Sequence, residues 1–354
     1  MSSNKYCVIM AGGIGTRFWP KSRQSMPKQF LDILGTGKSF IRHTYERFAK
    51  MVPAENFLVV TNDKYKSLVL EHIPEIGEKQ VLCEPVGRNT APCVAYAAYT
   101  LLKRNPDAEM IVTPADHLIL NEDDFRAIIA ECLDFASEHD ALMTVGIKPT
   151  RPDTGYGYIQ ADLSLASPRN REIFRVDQFH EKPKREVAEA YLKEKNFFWN
   201  AGIFIWSAAT IVNAFRVYQP NIAKIFDRIR PMLGTPDEQR IIDEVYPQCE
   251  NISVDYAIME KAEEIFVCPS DFGWSDLGTW GSLLLQTPKD VYGNAVIGQN
   301  VQLYDSHNCI VHTLEEKRVV IEGLDGYIVA ENDDTLLICK LSEEQRIRQF
   351  SEEL

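Results

Sequence analysis

The chain of 354 residues predicts an α/β fold: a mostly parallel sheet flanked by helices, with a small β-rich C-terminal domain. Three observations predict it. Short apolar runs recur at residues 6–10, 57–61, 80–83, 109–113 and 141–146, the length of buried strands. Helical patterns fall between them, at 40–51, 64–72, 90–104 and 123–138, an alternation that belongs to βαβ units with right-handed crossovers. From about Asn294 the chain becomes β-rich and is broken by turn residues such as Gly298, Asp305, Asn308, Gly323 and Gly326.

The middle of the chain is looser. Residues 154–159, 173–181 and 198–206 read as strands, and 184–194, 208–218, 221–232 and 237–245 as helices. A short helix is expected at 253–261. The organisation expected is a main domain over 1–290 and a β-rich one over 291–354. The latter has no convincing hexapeptide repeat, so a long β-helix is not expected.

Composition narrows the function classes. A content of 45% hydrophobic and 25% charged residues is that of an ordinary soluble globule. A net charge of −13 argues against a general nucleic-acid or membrane-surface binder, because the field of the whole protein repels polyanions. Phosphate would have to be bound by local basic residues. The eight cysteines are scattered singly, with no C-x-x-C, and no histidine pair has zinc spacing. The N-terminal apolar stretch is too short for a signal peptide, and no run approaches the ~20 apolar residues of a membrane span. A cytoplasmic protein is expected. The sequence leaves the oligomeric state open, a homodimer included.

The first apolar run empties into Gly12, Gly13 and Gly15, followed by Thr16, Arg17, Lys21, Arg23 and Lys28. Glycines let backbone N–H groups approach a polyanion, and arginine and lysine suit phosphate oxygens as a fork and a point charge. The stretch reads as a triphosphate cradle, in a loop whose cations stand exposed without ligand. It is not a dinucleotide fingerprint, since Phe18 takes the third glycine slot. Nor is Gly35-Thr36-Gly37-Lys38-Ser39 a Walker A, since Asp32 holds the position of its first glycine. Residues 35–38 read as a turn leading into a helix.

Two distant aspartates stand out. Asp116 follows an apolar strand through a Pro-Ala turn, which places it at the ligand edge of a parallel sheet, with a helix cap or turn aspartate as the lesser reading. Asp276 lies among Gly273, Trp274, Gly278 and Trp280, a constrained loop, and it too would serve as a cap. The segment from Glu84 to Pro92 follows the third strand and opens a helix. The helix start presents free N–H groups, beside backbone carbonyls and the Glu84 carboxylate, while Arg88 and Asn89 read equally as capping and turn residues. Gly155-Tyr156-Gly157, Glu181-Lys182-Pro183 and Trp199-Asn200-Ala201-Gly202 each suggest a site for a hydroxylated, phosphorylated ring, weakly when taken one at a time. The seven histidines show no metal or triad spacing, and no G-x-S-x-G elbow occurs.

In register, these motifs resemble the sugar-1-phosphate nucleotidyltransferase family. Gly12-Gly13-Ile14-Gly15-Thr16-Arg17-Phe18-Trp19-Pro20 with Pro27-Lys28 matches its signature. Gln29-Phe30 and the segment from Glu84 to Pro92 look like the mannose-1-phosphate guanylyltransferase branch. The resemblance runs from about residue 5 to 285. It implies a Rossmann-like nucleotide-diphospho-sugar transferase sheet and Mg²⁺ shared by Asp116 and Asp276. It also implies catalytic roles for Arg17 and Lys28, with the nucleotide held by Gly12, Gly13, Gly15, Thr16, Glu84, Arg88, Asn89 and Thr90. Gly157, Glu181 and Asn200 would hold the sugar and Lys182 its phosphate. Ser253-Val254-Asp255-Tyr256 is similar to a family motif near the sugar, although Asp255 also reads as a cap. The implied reaction joins GTP and mannose 1-phosphate by in-line attack on the α-phosphorus, with no covalent intermediate. The alternatives are another pairing, such as thymidylyl transfer to glucose 1-phosphate, or an inactive nucleotide-sugar-binding regulatory subunit. Longer members append a cupin-like isomerase domain, and isomerase activity is not expected here.

Overall fold

The structure is a computed structural model that describes residues 4–166, 173–314 and 316–353. It divides into two compact units, each drawn from separate stretches of chain. The first comprises Met1–Gly12, Tyr45–Ala115 and Ile119–Trp274; the second comprises Gly13–Thr44, Asp116–Leu118 and Ser275–Leu354. The second unit thus joins the glycine loop to the C-terminal strands, which the division expected at residue 290 separates.

Elements up to residue 275 run β1 (Lys5–Ala11), α1 (Phe40–Ala49), β2 (Phe57–Asn62), α2 (Lys66–His72), β3 (Val81–Glu84) and α3 (Thr90–Arg104). There follow β4 (Glu109–Pro114), β5 (Leu118–Ile119), α4 (Glu122–His139), β6 (Leu142–Ile147), β7 (Tyr158–Ala166), β8 (Phe174–His180) and α5 (Arg185–Tyr191). The series ends with β9 (Phe197–Ser207), α6 (Ala208–Tyr218), α7 (Pro220–Ile229), α8 (Glu238–Val245), β10 (Ile265–Ser270) and β11 (Trp274–Ser275).

Nine strands of the first unit form one sheet in the order β3-β2-β1-β4-β9-β6-β10-β8-β7. The run from β3 to β4 is parallel, as is the pair β6 and β10. Only β9 and β8 run against their neighbours, so the sheet is mostly parallel, as expected. Burial explains the sequence pattern. β2 is FLVVTN, buried through its first five residues, because a central parallel strand is covered on both faces and cannot alternate. α3 is alanine-rich and buried from Ala91 to Leu101, small side chains letting it lie inside the core. Its Tyr96 and Tyr99 stack on Phe226 of α7 at 6.2 and 5.6 Å. α4 is capped by Asn121, whose side chain accepts from Asp124 N–H, and its first turn carries Glu122, Asp123 and Asp124 against the helix dipole.

In the second unit α9 (Trp280–Gln286) precedes β12 (Ala295–Ile297), β13 (Val301–Tyr304), β14 (Ile310–His312), β15 (Val319–Glu322), β16 (Tyr327–Asn332), β17 (Thr335–Lys340) and α10 (Ile347–Glu352). β12, β14 and β16 stack in parallel, as do β13 and β15, in a short solenoid that β17 closes antiparallel. Ala295 pairs with Ile310 and Ile310 with Ile328, unequal steps that leave no fixed repeat to detect. One face of this stack joins Phe18, Ile33, Phe40, Leu277 and Trp280 in a single apolar cluster, which is why the glycine loop belongs to this unit.

Two expectations are corrected. Residues 154–157 are a turn, not a strand: the Asp153 carboxylate accepts the Gly155 N–H at 2.9 Å, diverting the backbone from the sheet. The helix expected at 253–261 is one π-helical turn, Asp255–Met259. The turn over 35–38 forms as expected, and Asp32 organises it, accepting from the Thr36 N–H at 2.9 Å and from Gly37. All eight cysteines are buried and outside disulfides. No helix among the described residues is long and apolar enough to cross a membrane.

Candidate active site

The second unit contains a cavity of about 540 Å³ lined by Gly15, Thr16, Arg17, Lys28, Asp116 and Asp276, together with His117, Gly278, Gln345 and Arg348. The glycine loop and the two distant aspartates are therefore brought together. Lys28 joins them: its ammonium lies 2.9 Å from Asp116 Oδ2 and donates to the Asp276 carbonyl at 2.9 Å. It also sits over the rings of Phe18 and Phe40 at 5.5 and 5.1 Å. Gly15 is required here twice over. Its φ is +73°, and a Cβ would lie 2.5 Å from Lys28 Cβ.

Arg17 is exposed, as expected of a loop cation, but Lys28 is only 4% exposed at its side chain, against expectation. An ammonium can be buried because a carboxylate, two carbonyls and two aromatic faces replace its water. Burial pushes the Asp116 carboxyl up, but the charges of Lys28 and His117 outweigh it and hold the group below its ordinary value. Neither aspartate caps a helix. Asn121 caps α4 and Thr279 caps α9, while the Asp276 carboxylate accepts the Gly278 N–H at 3.1 Å.

Within the first unit, Gly157, Glu181, Lys182, Asn200 and Asp255 converge. The Asn200 N–H donates to the Gly157 carbonyl, and its side-chain amide donates to Asp255 Oδ1, both at 2.8 Å. Thr144 and the Gly202 N–H hold the amide from the oxygen side at 3.2 and 3.0 Å. Glu181 is nearly buried and paired with Lys182, whose backbone has φ +49°. A Cβ at Gly157 would meet Glu181 Oε2, so a larger residue there would displace the Glu181 carboxylate. Asp255 is not a cap; burial first, and the Glu181 charge second, lift its carboxyl to about 6. Two carboxylates, an amide and an ammonium in one place suit a polyol bearing a phosphate. Asp255 was legible only as an ambiguous cap. Arg151, stacked 5.1 Å over Trp199, carried no sequence signal.

Glu84 ends β3 and is 5% exposed. Burial raises its carboxyl to about 7 against a hydrogen bond from the Tyr246 hydroxyl. Gly12 lies beside it: a Cβ there would stand 3.6 Å from Glu84 Oε2. Gly13 has open space around it. The residues after Glu84 carry structural duties. Arg88 donates to the Pro247 carbonyl at 2.6 Å, Asn89 caps α3 by accepting from the Thr90 N–H at 2.9 Å, and the Thr90 hydroxyl accepts from the Val254 N–H. The Ala91 N–H bonds the Ile252 carbonyl at 3.1 Å. These donors at the start of α3 are thus engaged within the protein.

Two outcomes follow from this geometry. Glu84 ordinarily ionises near 4.5, yet keeps its proton in the fold until about 7. The native state therefore binds the extra proton between those values and loses stability as pH rises through that window. Urea unfolding at pH 5 and pH 8 should show Glu84→Gln gaining on the parent protein by up to about 3 kcal/mol. Equal pH dependence in the two proteins would mean an ordinary Glu84. Lys28→Ala should lower stability by about 2–4 kcal/mol, because Asp116 loses its partner, while Arg17→Ala should leave the melting temperature unchanged. A Lys28→Ala protein that melts with the parent would contradict the buried-pair account.

Residues 6–291 match the sequence model of the nucleotidyl transferase family. Mannose-1-phosphate guanylyltransferase 2 of Escherichia coli O157:H7 is 35% identical over 98% of this chain and 73% of its own length. Mannose-1-phosphate guanylyltransferase of Salmonella montevideo is 36% identical, with the same two coverages. The crystal structure of mannose-1-phosphate geranyltransferase from Thermus thermophilus superposes with a TM-score of 0.87 at 32% identity, covering 99% of both chains. The chain belongs to the nucleotidyl transferase family.

Proposed function

We propose that this chain transfers GMP from GTP to α-D-mannose 1-phosphate, giving GDP-mannose and pyrophosphate. The observation that carries the reading is the similarity to mannose-1-phosphate guanylyltransferases along nearly the whole chain. The convergence of Arg17, Lys28, Asp116 and Asp276 on one cavity supports it chemically. A phosphate oxygen of the sugar attacks the α-phosphorus, the α–β bridging bond breaks, and pyrophosphate leaves with the electron pair. The nucleophile is already ionised, so catalysis reduces to positioning and charge stabilisation.

In this reading Arg17 and Lys28 offset charge on the triphosphate, and Gly12, Gly13, Gly15 and Thr16 let it approach the backbone. Glu84 accepts from the base, with Arg88, Asn89 and Thr90 shaping that segment. Gly157, Glu181, Asn200 and Asp255 hold the sugar, and Lys182 its phosphate. Asp116 and Asp276 offer carboxylate oxygens only, the donor chemistry that suits Mg²⁺. Bound there, the ion would supply charge neutralisation on the phosphates.

With Mg²⁺ present, GTP and mannose 1-phosphate should release pyrophosphate faster than any other pairing of four nucleoside triphosphates with several sugar 1-phosphates. Preference for thymidine or uridine triphosphate would sink the guanylyl assignment, and no turnover with any pair would favour a regulatory subunit. Asp116→Asn and Asp276→Asn should each raise the Mg²⁺ concentration needed for half-maximal activity. The double variant should cost less than the two effects added, because they share one site. Unchanged metal dependence in both single variants would end the shared-site assignment.

A further inference from the structure

We infer that Arg348, with Gln345 beside it, belongs to the triphosphate-binding set, so that the C-terminal segment completes the cavity built on the glycine loop. The inference rests on the function proposed above and adds a residue that no motif indicates. Both side chains line the cavity that contains Arg17, Lys28, Asp116 and Asp276.

Charge shows why it matters. Lys28 already faces Asp116, and Asp276 adds a second carboxylate. Arg17 and Lys28 therefore do no more than balance the two aspartates. Arg348 adds a further cation to this lining, beside His117, in a chain of net charge −13. Its guanidinium donates from Nε to Glu352 at 3.1 Å, an exposed pair one helical turn away, with side chains 71% and 65% exposed. Such a pair holds little energy, and the terminal N–H groups are left for a bidentate contact with phosphate.

The placement is built into the fold. Ile347, the neighbour of Arg348, is fully buried in the cluster that contains Phe18 and Trp280, and Phe350 packs against the same cluster. α10 thereby rests on the turn Thr16–Phe18 that carries Arg17. Glu344 pins the segment a second time, accepting the Gly281 N–H at 2.7 Å. With the backbone fixed on both sides, only the side chain has to order when phosphate arrives.

The test is steady-state kinetics and calorimetric titration of Arg348→Ala, Arg348→Lys, Arg346→Ala and Arg17→Ala. Arg348→Ala should raise KM for GTP about fivefold, the scale of one partly solvated charge pair, and leave KM for mannose 1-phosphate and the melting temperature unchanged. Binding of inorganic tripolyphosphate should weaken by the same factor. Arg348→Lys should recover part of the loss. Arg346→Ala, which removes a neighbouring charge outside the cavity, should match the parent. If alanine lowers the melting temperature, Arg348→Gln replaces it in the same measurements. Parent-like affinity for GTP and tripolyphosphate in the Arg348 variants, with Arg17→Ala impaired, overturns this inference alone. Parent-like affinity in Arg17→Ala as well overturns the cavity assignment with it.

Discussion

The buried ammonium of Lys28 holds together segments that the sequence keeps 88 and 248 positions apart, residues 116 and 276. Taking an amine out of water costs several kcal/mol unless its hydration is replaced. Here the replacement is complete enough to fix geometry: one carboxylate, two carbonyls and the faces of Phe18 and Phe40. Gly15 lets the loop fold back close enough for this, and Trp280 packs on Phe18 at 5.1 Å beneath it. A loop that composition marks as flexible is thus one wall of an apolar core. Its catalytic candidates inherit the rigidity of that core.

Much of the fold was legible because local and tertiary demands coincide. Over Thr90–Arg104 and Ala208–Tyr218, the apolar periodicity, the N-caps Asn89 and Ser207 and the stops at Asn105 and Gln219 agree, and the helices end where expected. The central strands are apolar throughout because both faces are covered, which made them plain as well. The misreadings arise where a side chain redirects the backbone or contacts are non-local. At 154–157 the glycine–aromatic alternation imitates a strand, and a single Asp153 carboxylate decides otherwise. In the solenoid, β14 sends Ile310 into one cluster and Val311 into another, so neither alternation nor a repeat survives in the sequence.

The site was legible in proportion to how much of it is motif. The signature loop, Asp116, Asp276, Gly157, Glu181 and Asn200 could be named, and the structure brings them into two clusters, one in each unit. Lys28 was named but misplaced in solvent, since a lysine in a glycine-rich loop gives no sign of the carboxylate 88 residues away. Asp255 looked like a cap because a serine and an aspartate before a helical turn usually are one. Its true partner, the Asn200 amide, lies 55 positions back. Arg348 sits in an ordinary i,i+4 pair with Glu352, and nothing local sets it apart.

The two clusters share a device that reconciles phosphate chemistry with an acidic protein. Each candidate phosphate ligand of lysine type is held by an internal carboxylate: Lys28 by Asp116, Lys182 by Glu181. A free lysine in a chain of net charge −13 would sample many rotamers and many acidic neighbours. Pairing holds the buried Lys28 ammonium in one geometry before any ligand arrives, so part of its ordering entropy is met during folding, while the exposed Lys182 is held less firmly. The same pairing cancels the cation's long-range pull, which leaves exposed guanidinium groups to supply attraction at a distance. Arginine suits that second task, because its fork is planar, weakly hydrated and always charged. In the proposed reaction, paired lysines would fix where phosphate sits, and exposed arginines such as Arg17 would make its approach favourable.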